Sequence, residues 1–513
     1  MKILLKLIFF IGLFALISFL LIYLFFQKEF ESFRNEYLSE YWPAVQNETA
    51  ISNKTLKIAY ASNYESLDPV MFNPVTRSRI LNVYESLVAT DRNLQIKPGL
   101  ALSWGRVHDT IWEFNLRPDV LFHDGSTFEA DDIIASFNRA KNHNKSELKD
   151  LLQSIEEVEK IDDLKIRFHT KEPDPILVNR IATVLIFPSE QTKFDKPVGT
   201  APYKYSAEQE NELALERFDE YWNGLPYYKY VFIQTIENRF SRLDAIKNGD
   251  IQILANVPPT FAEELQNQGA VNVLSLPSLE VNFLMFNFNS DLFNDDRIRE
   301  AISIAFDKQA FVEFSNGYAT PSNQFVSNGI FGFNPDIETK EQNINEAKKV
   351  VREYDPFKRP SVSIDMVLGA EVIGEFLKLQ FNEIGITTNI HYIPFEDLRE
   401  KIFKKESEMY LLGWRSEIGD SAGFLENVVH SEGKFNGGAF SSKKVDQLID
   451  LSLRNLDQEK RLSQFHEIMQ IITEEEIIGV PLFETEVVYG IRIGIQFHPR
   501  LDGYILACEV TKN

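Results

Sequence analysis

Apolar residues alternate with polar ones in some stretches of this chain and recur at helical spacing in others. Trp112, Phe114 and Leu116 alternate with Glu113, Asn115 and Arg117, the period-two pattern of a strand with one buried face. Residues 56–61 predict another short strand, and within 281–289 Phe283, Met285 and Asn287 fall on one strand face. Ile133, Ile134, Phe137 and Ala140 give an apolar stripe to a helix opening at Ala130-Asp131-Asp132, where carboxylates suit the helix dipole. Ile298, Ala301, Ile302, Ala305 and Phe306 do the same after Asn294-Asp295. Residues 83–88 predict a helix leading into a strand. Residues 361–368, 371–384 and 386–393 predict strand, helix and strand, with Gly385 ending the helix. Residues 443–453 and 459–475 form a last helical pair.

Backbone breakers punctuate these runs. Asp124-Gly125 signals a tight turn. Lys247-Asn248-Gly249-Asp250 separates a helix from a strand, and 197–203, Pro-Val-Gly-Thr-Ala-Pro-Tyr, predicts a crossover between lobes. Strands and helices interleaved in this way imply α/β lobes with mixed sheets. Ligand sites in such lobes lie beyond strand ends or between lobes.

The amino terminus differs. Residues 3–26 are apolar except at Lys6, Gly12, Ser18 and Tyr23. As a helix this run spans roughly 36 Å, enough to cross a bilayer. It ends Leu21-Ile22-Tyr23-Leu24-Phe25-Phe26-Gln27, without the small residues of a signal-peptide cleavage site. An uncleaved anchor over 1–26 is the expectation, followed by a polar, acidic stalk over 27–54. Lys2 and Lys6 at the start of the span balance Lys28 and Arg34 after it, so basic residues alone do not orient it.

Charge narrows the partners. The 53 basic and 76 acidic residues leave a net charge of −23. That argues against nucleic acid, whose phosphates need Lys and Arg, and against docking on anionic headgroups. The single cysteine, Cys508, excludes an intrachain disulfide and is expected as a small buried hydrophobe. The eight histidines are dispersed, with no His-Glu-x-x-His or Cys/His cluster, so no metal site is expected. No nucleophile elbow, Walker loop or dinucleotide fingerprint is present. Asp131-Asp132 and Asp295-Asp296 read as helix caps, and His123 as a packing residue within its turn. Neither enzyme activity nor a cofactor is expected.

The most informative stretch is 97–132. It contains Lys97-Pro98-Gly99-Leu100-Ala101, Ser103-Trp104, Ile111-Trp112-Glu113-Phe114 and Phe122-His123-Asp124-Gly125. Leu67-Asp68-Pro69 precedes it. Gly199-Thr200-Ala201-Pro202-Tyr203, Tyr221-Trp222, Phe293-Asn294-Asp295-Asp296-Arg297 and Gly479-Val480-Pro481-Leu482-Phe483 follow in order. This series resembles the peptide-binding solute-binding proteins of ABC importers. The resemblance implies an α/β, two-lobed periplasmic-binding-protein-like fold with mixed sheets and an extra inserted domain, preceded by one transmembrane helix. Lobe I would comprise 55–90, 197–280 and 481–513, the inserted domain 91–196, and lobe II 281–480. Closure of the lobes would bury a peptide, which the protein would pass to an ABC permease. The protein would be a monomer in the cell membrane, with its globular part on the extracytoplasmic side.

The same resemblance suggests site residues. The family places an aspartate three residues after a Gly-Trp tryptophan, where it pairs with the ligand's α-ammonium group. In this chain Gly413-Trp414-Arg415-Ser416 is followed by Glu417, whose extra methylene moves the carboxylate outward by about one bond length. Asp420 is an alternative partner for that amine. A buried ammonium needs such an anion because unpaired buried charge is costly. Trp414 is a candidate to pack on a ligand side chain and Arg415 to hold a carboxylate. Met71, Phe72, Asn73, Tyr203 and Asn287 are further candidate contacts. The chain departs from the family where relatives carry an Asn-Pro and this one has Phe440-Ser441-Ser442-Lys443. Nickel chelates, haem and oligosaccharides are alternative solutes, and an anchored hydrolase is the competing class.

Overall fold

Two long strands, Val271–Phe286 and Gly479–Arg492, organise the chain in a computed structural model that describes residues 54–512 apart from 268, 315, 316 and 339. They pair antiparallel over most of their length, and each contributes to both ends of one large mixed sheet. One end adds Met409–Arg415, Ser361–Val367 and Thr387–Ile393 beside Val271–Phe286. The other continues from Gly479–Arg492 through Ile253–Leu254, Thr55–Tyr60, Tyr230–Thr235, Glu212–Arg217 and Tyr203–Gln209. The two strands therefore join the lobes.

Their pairing slips twice. Pro277 faces Glu486, pairing resumes with Val281 opposite Glu484, and a second shift falls between Asn282, opposite Phe483, and Phe283, opposite Pro481; the larger slip is the first. Between Pro277 and Val281, Leu279 takes a left-handed φ of 62°, unusual for a branched side chain. Glu484 accepts a hydrogen bond from the Leu279 amide at 3.1 Å, and the Ser278 and Thr485 hydroxyls meet at 3.0 Å. A bulge pinned in this way bends the ribbon where the lobes meet.

Beyond the bulge both strand faces are buried, which explains the nearly continuous apolar run there. Phe283, Met285, Tyr410 and Leu412 enter one core; Leu284, Phe286, Met409 and Leu411 enter the core on the opposite face. Parallel pairing of Ser361–Val367 with Thr387–Ile393, across the helix Glu371–Ile384, completes a βαβ unit. Gly385 ends that helix at φ 92°, as its position in the sequence predicts.

A second, four-stranded antiparallel sheet lies between Ala101 and Thr170, in the order Ala101–His108, Ile111–Leu116, Lys165–Thr170, Ile155–Asp162. Phe114, Phe137 and Phe168 pack edge-on in the core between it and the helix Ala130–Asn142. That helix starts with a capping box: the Asp132 carboxylate accepts from the Glu129 amide at 2.8 Å. Asp131 pairs with Lys160. Asp295 caps the helix Asp296–Ser303. His123 is a packing residue, bonded to the Ala201 carbonyl at 2.8 Å and to the Gly199 amide at 3.2 Å. Burial lowers its pKa to about 4, so it stays neutral.

One element differs from the sequence expectation. Residues 83–87 are not helical; the helix runs earlier, at Pro74–Ile80, and a strand begins at Val88. Asn73 caps it by accepting from the Thr76 amide, and Pro74 suits its first turn. The chain then leaves the helix so that the Val83 carbonyl can approach Gly199, where even a Cβ would lie 2.1 Å from that oxygen. The expected anchor, 1–26, lies outside the described residues, as does the stalk up to residue 53. Among the described residues no helix is long and apolar enough to cross a membrane.

Candidate ligand-binding site

The end of the strand Met409–Arg415 points its last residues at a cavity of about 290 Å³. Its walls come from Phe72–Gly99, the 179–183 helix end, the Tyr221-Trp222 turn, residues 415–418 and the carboxyl-terminal segment 500–509. Contacts cross beside the cavity. Asn179 donates to the Ile418 carbonyl at 2.9 Å, and Leu94 and Ile176 pack into the lobe II core.

Arg415 and Glu417 both line this cavity. They stand on either side of Ser416, whose amide is tied to the Leu279 carbonyl at the bulge. Arg415 Nε lies 3.8 Å from Glu417 Oε1, and its Nη2 donates to the Asp502 carbonyl. Its Nε makes no hydrogen bond within 3.5 Å. The Glu417 side chain keeps 21% of its exposure. Burial raises the Glu417 pKa above the ordinary glutamate value, and Arg415 and Arg77 partly offset this. Glu280 stands opposite Arg415 on the neighbouring strand and is also raised by burial.

The other wall is aromatic and well bonded. Half-buried Glu85 accepts from Tyr221 Oη at 2.8 Å and Trp222 Nε1 at 3.0 Å. Arg117 stacks on the Trp222 ring at 3.9 Å. Arg500 is committed to Asp502, Glu509 and the Thr90 carbonyl. It fixes the carboxyl-terminal segment to lobe I. Cys508 also lines the cavity, half-buried against the lobe I core, and burial pushes its thiol up to about 12, so it is protonated.

Of the sequence candidates, Arg415, Glu417 and Phe72 come together here, and seven others lie elsewhere. Asp420 is bidentate to Arg461, with both contacts at 2.7 Å, so its charge is already neutralised. Trp414 packs edge-on against Phe424 and Phe435, on the core side of its strand. Gly413 leaves room for Glu280, whose carboxylate oxygen lies 2.7 Å from where a Cβ would stand. Met71 is buried in a turn closed on Asp68, and Asn73 is the helix cap already described. Tyr203 is buried and donates to the Tyr228 carbonyl at 3.1 Å. Asn287 bridges the Lys405 and Ser407 carbonyls and supports a loop. Each is satisfied by protein groups.

Sequence reasoning missed Arg77, Glu85, Tyr504 and the role of Trp222. Arg77 had a readable signal. Positions 77 and 79 fall about 200° apart around a helix, so Thr76-Arg77-Ser78-Arg79 cannot turn both arginines to solvent.

Among the described residues no cluster of three His, Cys, Asp or Glu is arranged to hold a metal. The cavity groups instead offer donors, one uncommitted acid and aromatic faces, the equipment of a binding site.

Comparison with known proteins agrees. Residues 95–436 match the family model described as bacterial extracellular solute-binding proteins, family 5 Middle. The glutathione-binding protein GsiB of Salmonella paratyphi A is 25% identical over 452 residues, covering 83% of this chain and 88% of that protein. A nickel ABC transporter structure from Bacillus halodurans superposes with a TM-score of 0.78 at 23% identity, covering 89% of this chain and 99% of that one. DppA from Helicobacter pylori, solved with the peptide STSA, gives 0.73 at 22%, covering 89% and 98%. The α/β two-lobed fold and the match over more than half of the residues lead to one assignment. The chain belongs to the bacterial extracellular solute-binding proteins of family 5, non-enzymatic proteins that bind a solute and deliver it to an ABC transporter.

Proposed function

We propose that this chain captures a short peptide, or a peptide-like solute of similar size, and presents it to an ABC permease. The observation that carries this reading is the placement of Glu417 and Arg415 on the wall of one cavity, where one acid and one base have capacity left. An ammonium entering there pairs with Glu417, and the alternative acid, Asp420, is engaged by Arg461. A volume of about 290 Å³ sits at the small end of ligand pockets, roughly 300–1,000 Å³, and favours short ligands over long ones. The relatives named for glutathione and for a bound tetrapeptide support the same class.

The apolar segment 3–26 is proposed to hold the protein in the cell membrane with its binding lobes outside, and the protein to act as a monomer. Protease treatment of intact cells tests the placement, because an outward domain is degraded and an inward one is protected.

Native mass spectrometry of the gently purified protein tests the ligand. A spread of short peptides, or one peptide-like thiol, bound at one per chain is the expected result. A uniform sugar, haem or nickel chelate overturns the peptide reading.

A further inference from the structure

Ile176 and Leu177 are neighbours in sequence and belong to different cores. Leu177 enters the core of the four-stranded sheet with Phe114 and Phe168, whereas Ile176 enters the lobe II core that holds Phe283 and Leu412. Asp174 fixes this turn. Its Oδ1 accepts the Ile176 amide at 3.0 Å, and its Oδ2 accepts the Ser154 hydroxyl at 2.6 Å. Three residues on, Asn179 donates to the Ile418 carbonyl at 2.9 Å.

Leu94 makes the same crossing from the tip of the hairpin Val88–Thr90, Ile96–Pro98. The hairpin's own bonds stay on its own side. Asp91 Oδ1 accepts the Asn93 and Gln95 amides, both at 2.9 Å, and the Arg92 carbonyl accepts the Leu501 amide at 2.9 Å. Leu94 itself stands at φ 61°, a left-handed backbone that leucine rarely takes. An added Cβ on Gly419 would stand 3.6 Å from the Leu94 Cβ, so the leucine lies against that glycine. A turn serving only its own lobe would carry glycine or asparagine here and would not aim leucine at water. Such strain persists where surrounding contacts over-determine it, and these contacts lie in the other lobe.

Both crossings end beside the loop that carries Glu417. The Gly419 amide donates to the Ser416 carbonyl at 3.0 Å, and the Gly419 carbonyl accepts the Phe331 amide at 3.0 Å. The pair Arg454–Glu172 also crosses, but more than half of each side chain is in water and it contributes little.

We infer that Leu94 and Ile176 form an apolar latch, on the opposite side of the cavity wall from the solute's own contacts, that holds the lobes shut and sets how long solute is retained. The inference rests on the cavity being the capture site. Release requires the lobes to part, and parting returns both side chains to water. The latch therefore slows dissociation much more than association.

The test follows release of radiolabelled trialanine from the full chain, as wild type, Leu94→Ala and Ile176→Ala. Leu94 lines the cavity and Ile176 does not, so truncating Ile176 removes no solute contact. Each variant is expected to release trialanine at least about tenfold faster, the scale of one apolar side chain exposed. Unchanged release from Ile176→Ala overturns the latch, because an effect of Leu94→Ala alone is loss of a solute contact. If Ile176→Ala does not fold, Ile176→Val takes its place, with release about threefold faster expected for one methylene. Hydrogen exchange on the solute-free proteins gives a readout independent of the probe. Amides within 416–421 are expected to exchange several-fold faster in both variants, while those of 283–286 keep the wild-type rate. No local rise overturns the latch, and an equal rise in 283–286 makes both residues ordinary core packing and overturns it too. If trialanine does not bind, the peptide reading fails, and exchange decides the latch separately.

Discussion

Asp420 and Arg461 form a bidentate ion pair across 41 residues of sequence, with Oδ1 to Nη2 and Oδ2 to Nη1 both at 2.7 Å. The two side chains keep 6% and 1% of their exposure. Arg461 also donates to the Ser452 carbonyl at 3.0 Å and lies over the rings of Phe331 and Phe465. Asp420 further caps Ala422 at 2.9 Å. Removing one partner leaves the other charged and buried. Asp420→Ala should cost about 3–5 kcal/mol of stability in urea titration. It should leave the affinity of the remaining folded protein near the wild-type value.

Glu417 should behave in the opposite way. Glu417→Gln keeps the shape of the side chain and removes the anion offered to an ammonium. Binding of a peptide with a free amino terminus should weaken by about 2 kcal/mol or more, roughly 30-fold. The acetylated peptide should lose much less. Calorimetry on both peptides separates the two cases, and equal losses would remove Glu417 from amine recognition.

The same carboxyl sets a pH dependence. Burial raises the Glu417 pKa above the ordinary glutamate value in the unliganded protein, with Arg415 and Arg77 opposing. An ammonium ligand selects the ionised form. As pH falls, affinity for the free amine should therefore start to decline at a higher pH than an ordinary glutamate would give. Glu417→Gln should lack that decline. Titrations repeated at stepwise lower pH check it.

Trp222 should report occupancy. It lines the cavity with its indole nitrogen on Glu85 and Arg117 over its ring, whereas Trp414 packs against Phe424 and Phe435. Ligand addition should change tryptophan emission, and Trp222→Phe should remove most of that change. Trp414→Phe should retain it.

Gly199 has no room for a side chain: an added Cβ would stand 2.1 Å from the Val83 carbonyl oxygen and 2.9 Å from the Tyr84 ring. Backbone on that side cannot yield cheaply. Gly199→Ala should destabilise the fold by about 1–3 kcal/mol, measured by urea denaturation.

Local physics explains which parts were legible in the sequence. The unit Ser361–Val367, Glu371–Ile384, Thr387–Ile393 was readable because alternation, helical spacing and the Gly385 cap all lie within one short stretch. The helix at Pro74–Ile80 lies several residues before the one the sequence predicts within 83–88, and Asn73, a candidate ligand contact by sequence, is its cap. The site was legible where it follows one strand end, at Arg415 and Glu417. It was illegible where partners are distant. Nothing near Asp420 announces Arg461, and nothing near Asn287 announces the Lys405 and Ser407 carbonyls that occupy it. Arg77 acquires its meaning only when Thr183, Arg415 and the 500–509 segment surround one cavity.

A crystal structure of the chain with its co-purified solute tests the central claim most directly. The solute should fill the cavity between the lobes, with an amine within hydrogen-bond distance of the Glu417 carboxylate. Solute bound outside that cavity, or inside it with Glu417 facing no cationic group, would contradict the claim.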